Sequence, residues 1–500
     1  MTLSYLIWLP LAFAVVASGL PRRFVGWFTV AGSLVTLGIA AYFLDRFTIG
    51  RAGLQFVTDV NWIPALGIHY KLGLDGLNVL LVMLTCVLFA ASLAWSAFRE
   101  WDRPHLYYLF LGLAQSAVLG AFCAQDLALF VGFFDLMLIP FYFLLGMFGS
   151  GERVRATTKL VIYTLVGSFF MLAAAVATGV IASSDHGTPL TFAISSLQHL
   201  RLSHFDQDWI FLCFAFAFAI KMPLVPFHGW LADAYKSMPI PVVAVFSGVV
   251  AKVAAYGFVR IVLPIFPYAT VHFQLLMLLI VLVSIIWSTA VAFTTPDARM
   301  VVAYSSVAQL SFITLGIFSL RPEGVQGSVL QMVNHGLVTA AAFFIVGALA
   351  VRAGGSERIR DMGGEAFRAP VLATLFLIVA MATLAMPGTS NWIGEFMILL
   401  GVFRTKIAIA TIAFAGVVGA AYYMLRLFIG TMHNRVGAKV ASREVTVVDA
   451  VAIVPLVLAI LLLAFYPQFG LNRSEPSVRV AVAPAQVLSS GPPPTKVAAR

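Results

Sequence analysis

The chain has 500 residues, of which 61% are hydrophobic and only 10% are charged, and its mean hydropathy is +0.97. Because a water-soluble domain carries about 25% charged residues, this composition excludes an ordinary solvated surface. The net charge of +10 is spread over short loops between apolar segments. That distribution argues against nucleic-acid binding and is typical of an inserted membrane protein.

Apolar segments long enough to cross a bilayer core of roughly 30 Å recur from one end of the chain to the other. No run of alternating apolar and polar residues accompanies them, so the sequence predicts helices and not a membrane barrel. We therefore predict an all-α integral membrane protein with about fourteen transmembrane helices. In chain order, the predicted spans are 2–19, 24–44, 77–98, 106–123, 126–149, 157–183, 208–226, 240–263, 272–293, 300–319, 325–351, 369–400, 407–430 and 447–466.

The first span begins without a basic region and is followed by Pro21, Arg22 and Arg23 instead of a cleavage site. We interpret it as a retained helix and not as a signal peptide. Sixteen Lys and Arg residues lie in the connections after odd-numbered spans, and seven lie in those after even-numbered spans. Because basic loops stay on the cytoplasmic side, both termini are predicted to be non-cytoplasmic.

Two predicted spans contain residues that interrupt a helix. Span 7 carries Pro223 and Pro226 just after Lys221, and span 12 carries Pro387 and Gly388. Since proline removes a backbone donor and clashes with the preceding turn, each span is predicted to form two half-helices. The two breaks occupy corresponding places in spans 4–8 and 9–13, which predicts two inverted five-helix repeats.

The predicted organisation follows from these repeats and contains five parts. They are N-terminal helices 1–3 (1–105), a first repeat (106–263), a second repeat (272–430), a fourteenth helix (447–466) and a polar tail (468–500). The tail contains Gly-Pro-Pro-Pro, and its composition predicts disorder.

Five ionisable residues fall at middle depth in predicted spans, where each charge costs at least about 2.5–3.5 kcal/mol on insertion. They are Asp135, Lys221, Lys252, His335 and Glu395. Burial disfavours a charged amine, whereas a nearby carboxylate favours it, so motion between the first two residues would load and unload a proton. We predict that the five form a proton relay. Side chains that could link them through hydrogen bonds and water are Ser247, Tyr304, Ser305, Ser306, Gln309 and Thr389.

Structural interpretations of the same residues stay open. Asp135 and Lys221 could form a static ion pair, and Lys252 could extend its amine to the membrane surface. His335 could be an ordinary core histidine, and Glu395 could cap the second half-helix. The charges by themselves also do not distinguish a proton path from a sodium path.

The remaining buried or helix-starting residues predict no metal site. Cys86, Cys123 and Cys213 are scattered within apolar segments and form no CxxC pair, so neither a metal or iron–sulfur site nor a disulfide is expected. Asp75 and Asp126 stand at predicted helix starts, where capping is the favoured interpretation.

Several sequence motifs carry a family resemblance. They are GLDGLNVLLVMLT (73–85), FAIKMPLVPFHGWLADA (218–234), DARMVVAYSSVAQLSF (297–312), QMVNHGL (331–337) and MPGTSNWIGEFMIL (386–399). These runs resemble the antiporter-like membrane subunits of respiratory complex I (NADH:quinone oxidoreductase), a superfamily related to the Mrp antiporters, and most closely its M-type subunits. The resemblance covers residues 70–430.

The resemblance implies a membrane-arm subunit that translocates protons while quinone is reduced elsewhere in the complex, and therefore a subunit of an enzyme without a redox site of its own. It implies that Asp135 pairs with Lys221, that Lys252 and His335 continue the relay, and that the proton leaves from Glu395. NADH, FMN, iron–sulfur clusters and quinone would bind to partner subunits. The expected setting is a bacterial inner membrane with L-, N- and K-type partners.

Three positions depart from the family pattern. Asp135 stands where glutamate is usual, Gln309 stands where histidine is usual, and Tyr235 ends a motif that usually ends in histidine. Three alternative functions therefore stay open. The first two are a D-type subunit of a multisubunit cation/proton antiporter and a subunit of a membrane-bound hydrogenase. The third is a structural subunit that keeps the fold but does not conduct protons.

Overall fold

The computed structural model is mainly helical, as predicted. It describes residues 2–200, 202–437, 440–441 and 443–490. Three parts of the sequence interpretation lie outside the described residues: Arg201 and Lys439 of the loop-charge comparison, and residues 491–500 of the predicted tail with its Gly-Pro-Pro-Pro.

The N-terminal helices form at the predicted spans, but the fifth span is divided. The helices are α1 (Leu3–Ala17), α2 (Arg22–Asp45), α3 (Val79–Ala97), α4 (Pro104–Cys123), α5 (Leu127–Leu136), α6 (Leu138–Phe148) and α7 (Arg153–His186). Pro140 has no N–H to donate to the carbonyl of Leu136, which weakens the helix at the boundary between α5 and α6. Asp135 consequently lies in the last turn of α5, beside this interruption.

A β-hairpin that the sequence analysis did not predict follows α2. Its strands β1 (Gln55–Ile63) and β2 (Ile68–Leu74) pair antiparallel, with Asp59 opposite Lys71. Most of β1 is half-buried or exposed. The hairpin escaped prediction because short strands in a loop carry no signal of membrane-spanning length.

The first predicted break is confirmed. Helix α8 (Ile194–Leu197) is followed by α9 (His204–Lys221), and the next helix, α10, spans Leu231–Ser237. Residues 222–230 therefore cross from one half-helix to the other without regular helical structure. Lys221 is the last residue of α9, which places its side chain at the break.

Span 8 is helical along its length but is not a regular α-helix. It comprises α11 (Ile240–Val245), α12 (Ala251–Gly257) and α13 (Leu263–Ile265), separated by π-helical segments at Phe246–Val250 and Phe258–Val262. The whole span is buried inside the bundle. Because π-helical turns often occur at functional sites, the polar residues on this span are candidates for the functional site.

The second half of the chain repeats the pattern of long helices with one break. The helices are α14 (Pro267–His272), α15 (Gln274–Thr294), α16 (Ala298–Ile317), α17 (Pro322–Arg352), α18 (Pro370–Thr383), α19 (Ser390–Phe403), α20 (Ile407–Met432) and α21 (Val447–Phe465). The gap between α18 and α19 confirms the break in span 12. Gly388 in this gap has a φ of +93°.

The prediction of a disordered tail is wrong for residues 468–490, which form α22 (Gln468–Ser490). Val478 and Val482 on this helix are buried. Ser477 Oγ accepts a hydrogen bond from the Gly76 amide at 3.0 Å. The low average hydrophobicity of the segment concealed one apolar face, which is enough to dock a helix onto the bundle.

Within the described residues, eleven helical segments are long and apolar enough to cross a membrane, with α5 and α6 counted as one segment and span 8 as another. Helix α1, helix α9 and the broken pair α18/α19 are shorter or more polar, and they complete the predicted set of about fourteen spans. Span 8 and the central part of α17 are buried on all sides, so polar side chains there lie in the interior of the bundle. The inverted relation between the two repeats stays a prediction.

Candidate functional site

The first polar cluster lies where span 8 meets α16 and α17. Ser247 Oγ is 3.0 Å from Ser306 Oγ, which is 2.7 Å from Thr339 Oγ1 and 3.3 Å from His335 Nε2. All four side chains are buried. They form a hydrogen-bonded group that joins three separate elements of the bundle.

Lys252 joins this cluster through the backbone. Its Nζ donates to the carbonyl oxygen of Ser247 at 2.5 Å, within the π-helical segment Phe246–Val250. The side chain is fully buried, and no acidic residue of the described chain forms an ion pair with it. An isolated buried amine of this kind needs a hydrogen-bond partner, and the Ser247 carbonyl provides one.

A second polar cluster contains the acid of α19. Gln331 Nε2 donates to Gln309 Oε1 at 2.8 Å, and Gln309 Nε2 donates to Glu395 Oε1 at 2.6 Å. All three side chains are buried. The glutamine that replaces a histidine of the family pattern therefore binds the predicted terminal acid directly.

The two clusters lie next to each other along the same helix faces. Ser306 and Gln309 are three residues apart on α16, and His335 and Gln331 are four residues apart on α17, spacings that place side chains on one face. No direct hydrogen bond joins the clusters within the described ranges. His335 Nδ1 and Gln331 Oε1 are buried without a protein partner, and such atoms usually bind water.

Asp135 and Lys221 are brought close together without forming an ion pair. Lys221 is buried, and its Nζ lies 4.9 Å from the centre of the Phe134 ring, one residue before Asp135. The Asp135 carboxylate instead accepts a hydrogen bond from Ser168 Oγ at 2.5 Å. A static ion pair is therefore not the arrangement in this structure.

Three predicted linking residues stand apart from both clusters. Ser305 Oγ donates to Val302 O on its own helix, and Thr389 Oγ1 donates to Met386 O within the turn before α19. Tyr304 is half-buried and has no hydrogen bond from its side chain in the part of the chain that the structure describes. Their roles in a proton path stay predictions.

Comparison with known proteins decides the family. The family described as NADH:quinone oxidoreductase/Mrp antiporter, TM, matches residues 124–421, which is more than half of the chain. The chain belongs to this family. A relative from Rhodobacter capsulatus, named NADH-quinone oxidoreductase subunit M, is 35% identical over 492 residues, covering 95% of both chains.

Solved structures agree with the NADH:quinone oxidoreductase/Mrp antiporter family. A chain of respiratory complex I from Thermus thermophilus with bound NADH has a TM-score of 0.87 at 29% identity, covering 97% of this chain and 100% of that chain. A chain of the Mrp complex from Dietzia sp. DQ12-45-1b has a TM-score of 0.81 at 23% identity, covering 97% and 99%, and it supports the fold. The sequence resemblance to the M-type subunits is thus confirmed.

The family match includes all five predicted relay residues, but the structure adds polar residues that sequence reasoning missed. Thr339 lies one turn after His335, so its spacing was a usable signal. Gln331 lies in the motif QMVNHGL (331–337), but no role was predicted for it. Ser168, the partner of Asp135, lies in an apolar stretch of α7 and had no signal at all.

The sequence also did not predict a buried ion pair between two residues that are distant in the chain. Arg260 Nη2 lies 2.5 Å from Asp75 Oδ1, and Arg260 Nε donates to Tyr256 Oη at 3.0 Å.

The interpretation of Asp75 as the N-cap of α3 is wrong, because Asn78 occupies that position. Asp126 does cap α5, accepting a hydrogen bond from the Leu129 amide at 3.1 Å.

The described residues contain no group of three or more His, Cys, Asp or Glu side chains that could hold a metal ion. Cys86 and Cys123 are buried, and Cys213 is half-buried. The chemistry that the two polar clusters offer is hydrogen bonding and proton exchange.

Proposed function

We propose that this chain is a membrane-arm subunit of an NADH:quinone oxidoreductase and translocates protons through its two polar clusters. The observation that carries the proposal is the buried group around Lys252. Its amine donates to the Ser247 carbonyl, and the Ser247 hydroxyl lies 3.0 Å from Ser306, which is 3.3 Å from His335. Hydroxyl groups can accept one proton and donate another, so Ser247 and Ser306 would pass a proton to His335. The Ser247 carbonyl cannot relay a proton, so the Lys252 side chain would first rotate from this carbonyl to the Ser247 hydroxyl. The relatives named as subunits of the same enzyme support the assignment of the host complex.

The first half of the path would depend on the position of the Asp135 side chain. In this structure its carboxylate binds Ser168, and Lys221 faces Phe134. A rotation of Asp135 from Ser168 toward Lys221 would favour the charged ammonium, and the reverse rotation would favour proton release. Asp135 would therefore control whether Lys221 holds a proton.

The second half would carry the proton from Lys252 to Glu395. The hydroxyl groups of Ser247 and Ser306 would link the amine to His335, and water at the buried His335 Nδ1 and Gln331 Oε1 would bridge to the second cluster. Gln309 cannot titrate, but it donates an N–H to Glu395 and holds the carboxyl group in place. The proton would then leave from Glu395.

The wider assignment follows from the same proposal. The subunit would be coupled to quinone reduction in partner subunits, and NADH, FMN, iron–sulfur clusters and quinone would be bound there. L-, N- and K-type subunits would be its neighbours in the bacterial inner membrane. Both termini would face the non-cytoplasmic side.

The deciding experiment replaces Lys221 by alanine in the assembled complex and measures protons pumped per electron transferred to quinone in sealed vesicles. We expect Lys221→Ala, and likewise Glu395→Gln, to lower this ratio while the complex still assembles. Lys236→Ala is the matched control, since Lys236 follows the same break but lies exposed at the end of α10. An unchanged ratio in assembled Lys221→Ala complexes would contradict the proposal.

A structural, non-conducting role is the second candidate. One observation favours it: within the described residues, no chain of hydrogen bonds connects Lys221 to Lys252. The double variant Lys221→Ala/Lys252→Ala separates the two functions. A wild-type ratio of protons to electrons in this variant would assign the structural role, whereas a reduced ratio would assign proton transport.

A further inference from the structure

A cavity rich in arginine opens where three helices end at one surface of the bundle. It has a volume of about 430 Å³ and lies between the start of α2, the end of α3 and the start of α4. Its lining includes Arg22, Arg23, Arg99, Trp27, Trp101 and Tyr108. Neither the family comparison nor the proton path accounts for these side chains.

The cavity has an excess of positive charge. Three guanidinium groups line it against one carboxylate, that of Glu100. None of Arg22, Arg23 and Arg99 forms an ion pair with another residue in the described parts of the chain. Arg23 lies over the Phe24 ring at 4.6 Å, and Arg99 lies over the Trp95 ring at 3.6 Å. The donors of these guanidinium groups are therefore available to an anion.

Exposed aromatic side chains adjoin the same cavity, since Phe24 contacts its lining residue Arg23 and Phe98 contacts its lining residue Trp27. Phe24, Trp27 and Phe98 are all exposed large aromatic residues, with 48%, 47% and 41% of their surface accessible. The Trp27 and Phe98 rings are in edge contact, with centroids 4.9 Å apart. Tryptophan and arginine at helix ends are typical of the boundary between lipid tails and headgroups. The cavity therefore has a charged interior and an apolar rim.

We propose that this cavity binds the headgroup of an anionic phospholipid. Guanidinium groups bind phosphate oxygens in a bidentate geometry, and basic pockets between transmembrane helices recognise acidic headgroups. The acyl chains would lie along Phe24, Trp27 and Phe98. A free phosphate ion would use the arginines but would leave the exposed aromatic rim unused, which is why we assign a lipid.

The test uses the intact complex in lipid nanodiscs that contain a photoactivatable phosphatidylglycerol, followed by mass spectrometry of the labelled peptides. We expect labelling of the peptides that contain residues 22–27 and 97–108, and weaker labelling there with a photoactivatable phosphatidylcholine. Replacing Arg22, Arg23 and Arg99 together by glutamine should lower the phosphatidylglycerol labelling about tenfold, which corresponds to about 1.4 kcal/mol of binding free energy.

Arg155→Gln is the matched control, since it also removes a surface arginine, but one that is paired with Glu152. This variant should be labelled like the parent. Equal thermal unfolding midpoints of the parent and the triple variant in phosphatidylcholine would show that the triple variant is folded. The single variant Arg22→Gln offers a milder substitution.

Equal labelling by both lipids, or full labelling of the folded triple variant, would overturn the proposal. Loss of labelling on addition of inorganic phosphate would overturn the lipid assignment in favour of a soluble anion.

Discussion

Ser306 is the branching point of the first polar cluster. Its hydroxyl lies within 3.3 Å of three other polar groups, those of Ser247, His335 and Thr339. A hydroxyl with three partners can change the direction of its own hydrogen bond, which is what a proton-conducting group requires. In the proposed function, the cluster therefore depends on a side chain that is not itself ionisable.

We expect Ser306→Ala to slow redox-driven proton pumping by roughly tenfold, since the loss of about 1.4 kcal/mol of transition-state stabilisation has that effect. Ser311→Ala is the matched control, because Ser311 is equally buried on α16 but donates only to Val307 O. Stopped-flow measurement of vesicle acidification checks both variants. Equal pumping rates in the two would show that the hydroxyl chain is not used.

The ion pair between Asp75 and Arg260 is a second determinant at the scale of single residues. Both side chains are buried, so removing one partner leaves an uncompensated charge and costs about 3–5 kcal/mol. We expect Arg260→Met to lower the thermal unfolding midpoint strongly. The double variant Asp75→Leu/Arg260→Met should recover much of the loss, and a double variant as unstable as the single one would contradict this explanation.

At the scale of elements, the irregular parts of the helices carry the polar groups. The amine of Lys252 binds a carbonyl of a π-helical segment, Lys221 ends a half-helix, and Asp135 lies in the last turn before an interruption. Irregular backbone exposes carbonyl and amide groups that a continuous helix would use internally. These irregular segments therefore place free backbone polar groups next to ionisable side chains in the interior of the bundle.

The turn between α18 and α19 gives a direct test of one break. Gly388 has a φ of +93° with open space where a side chain would stand, so Gly388→Ala adds backbone strain without a steric clash. We expect a loss of roughly 1–2 kcal/mol in stability. Gly38→Ala in α2 also meets open space but at helical φ, and it should not destabilise. Thermal unfolding of the two variants in detergent compares them, and equal losses would refute the strain argument.

At the scale of the whole molecule, α22 connects the C-terminal part of the chain to the loop before α3. Ser477 Oγ accepts from the Gly76 amide and donates to Ala52 O. The helix also covers a cavity of about 350 Å³ that is lined by Asp75 and Arg260. A segment that composition classed as a tail is thus part of the environment of a buried ion pair.

Truncation after Pro467 should expose this ion pair to water and loosen the loop before α3. We expect faster hydrogen–deuterium exchange in residues 73–78 and a lower thermal unfolding midpoint. Ser477→Ala should show the same changes to a smaller extent, with about 1 kcal/mol lost for a removed hydrogen bond. Truncation after Ser490 is the control, since it keeps α22. Unchanged exchange after removal of α22 would show that the helix does not support the loop.

Much of the architecture could be predicted because the bilayer restricts what a chain can do. Backbone groups inside the membrane must be satisfied within the protein, so apolar runs such as 77–98 become helices and prolines such as Pro223 and Pro387 mark their breaks. Charged residues inside a span are rare for the same reason, which made Lys221, Lys252 and Glu395 visible as candidates.

What the tertiary structure decided is which polar residues meet. The contact of Asp135 with Ser168, the binding of Glu395 by Gln309, and the ion pair of Asp75 with Arg260 each join separate elements of the chain. The hydropathy of a segment predicts whether that segment is buried, but it does not predict which other helix each of its faces will contact. The class, the spans and the breaks of this protein are therefore local properties of its sequence, whereas its polar clusters and the docking of α22 depend on packing between distant segments.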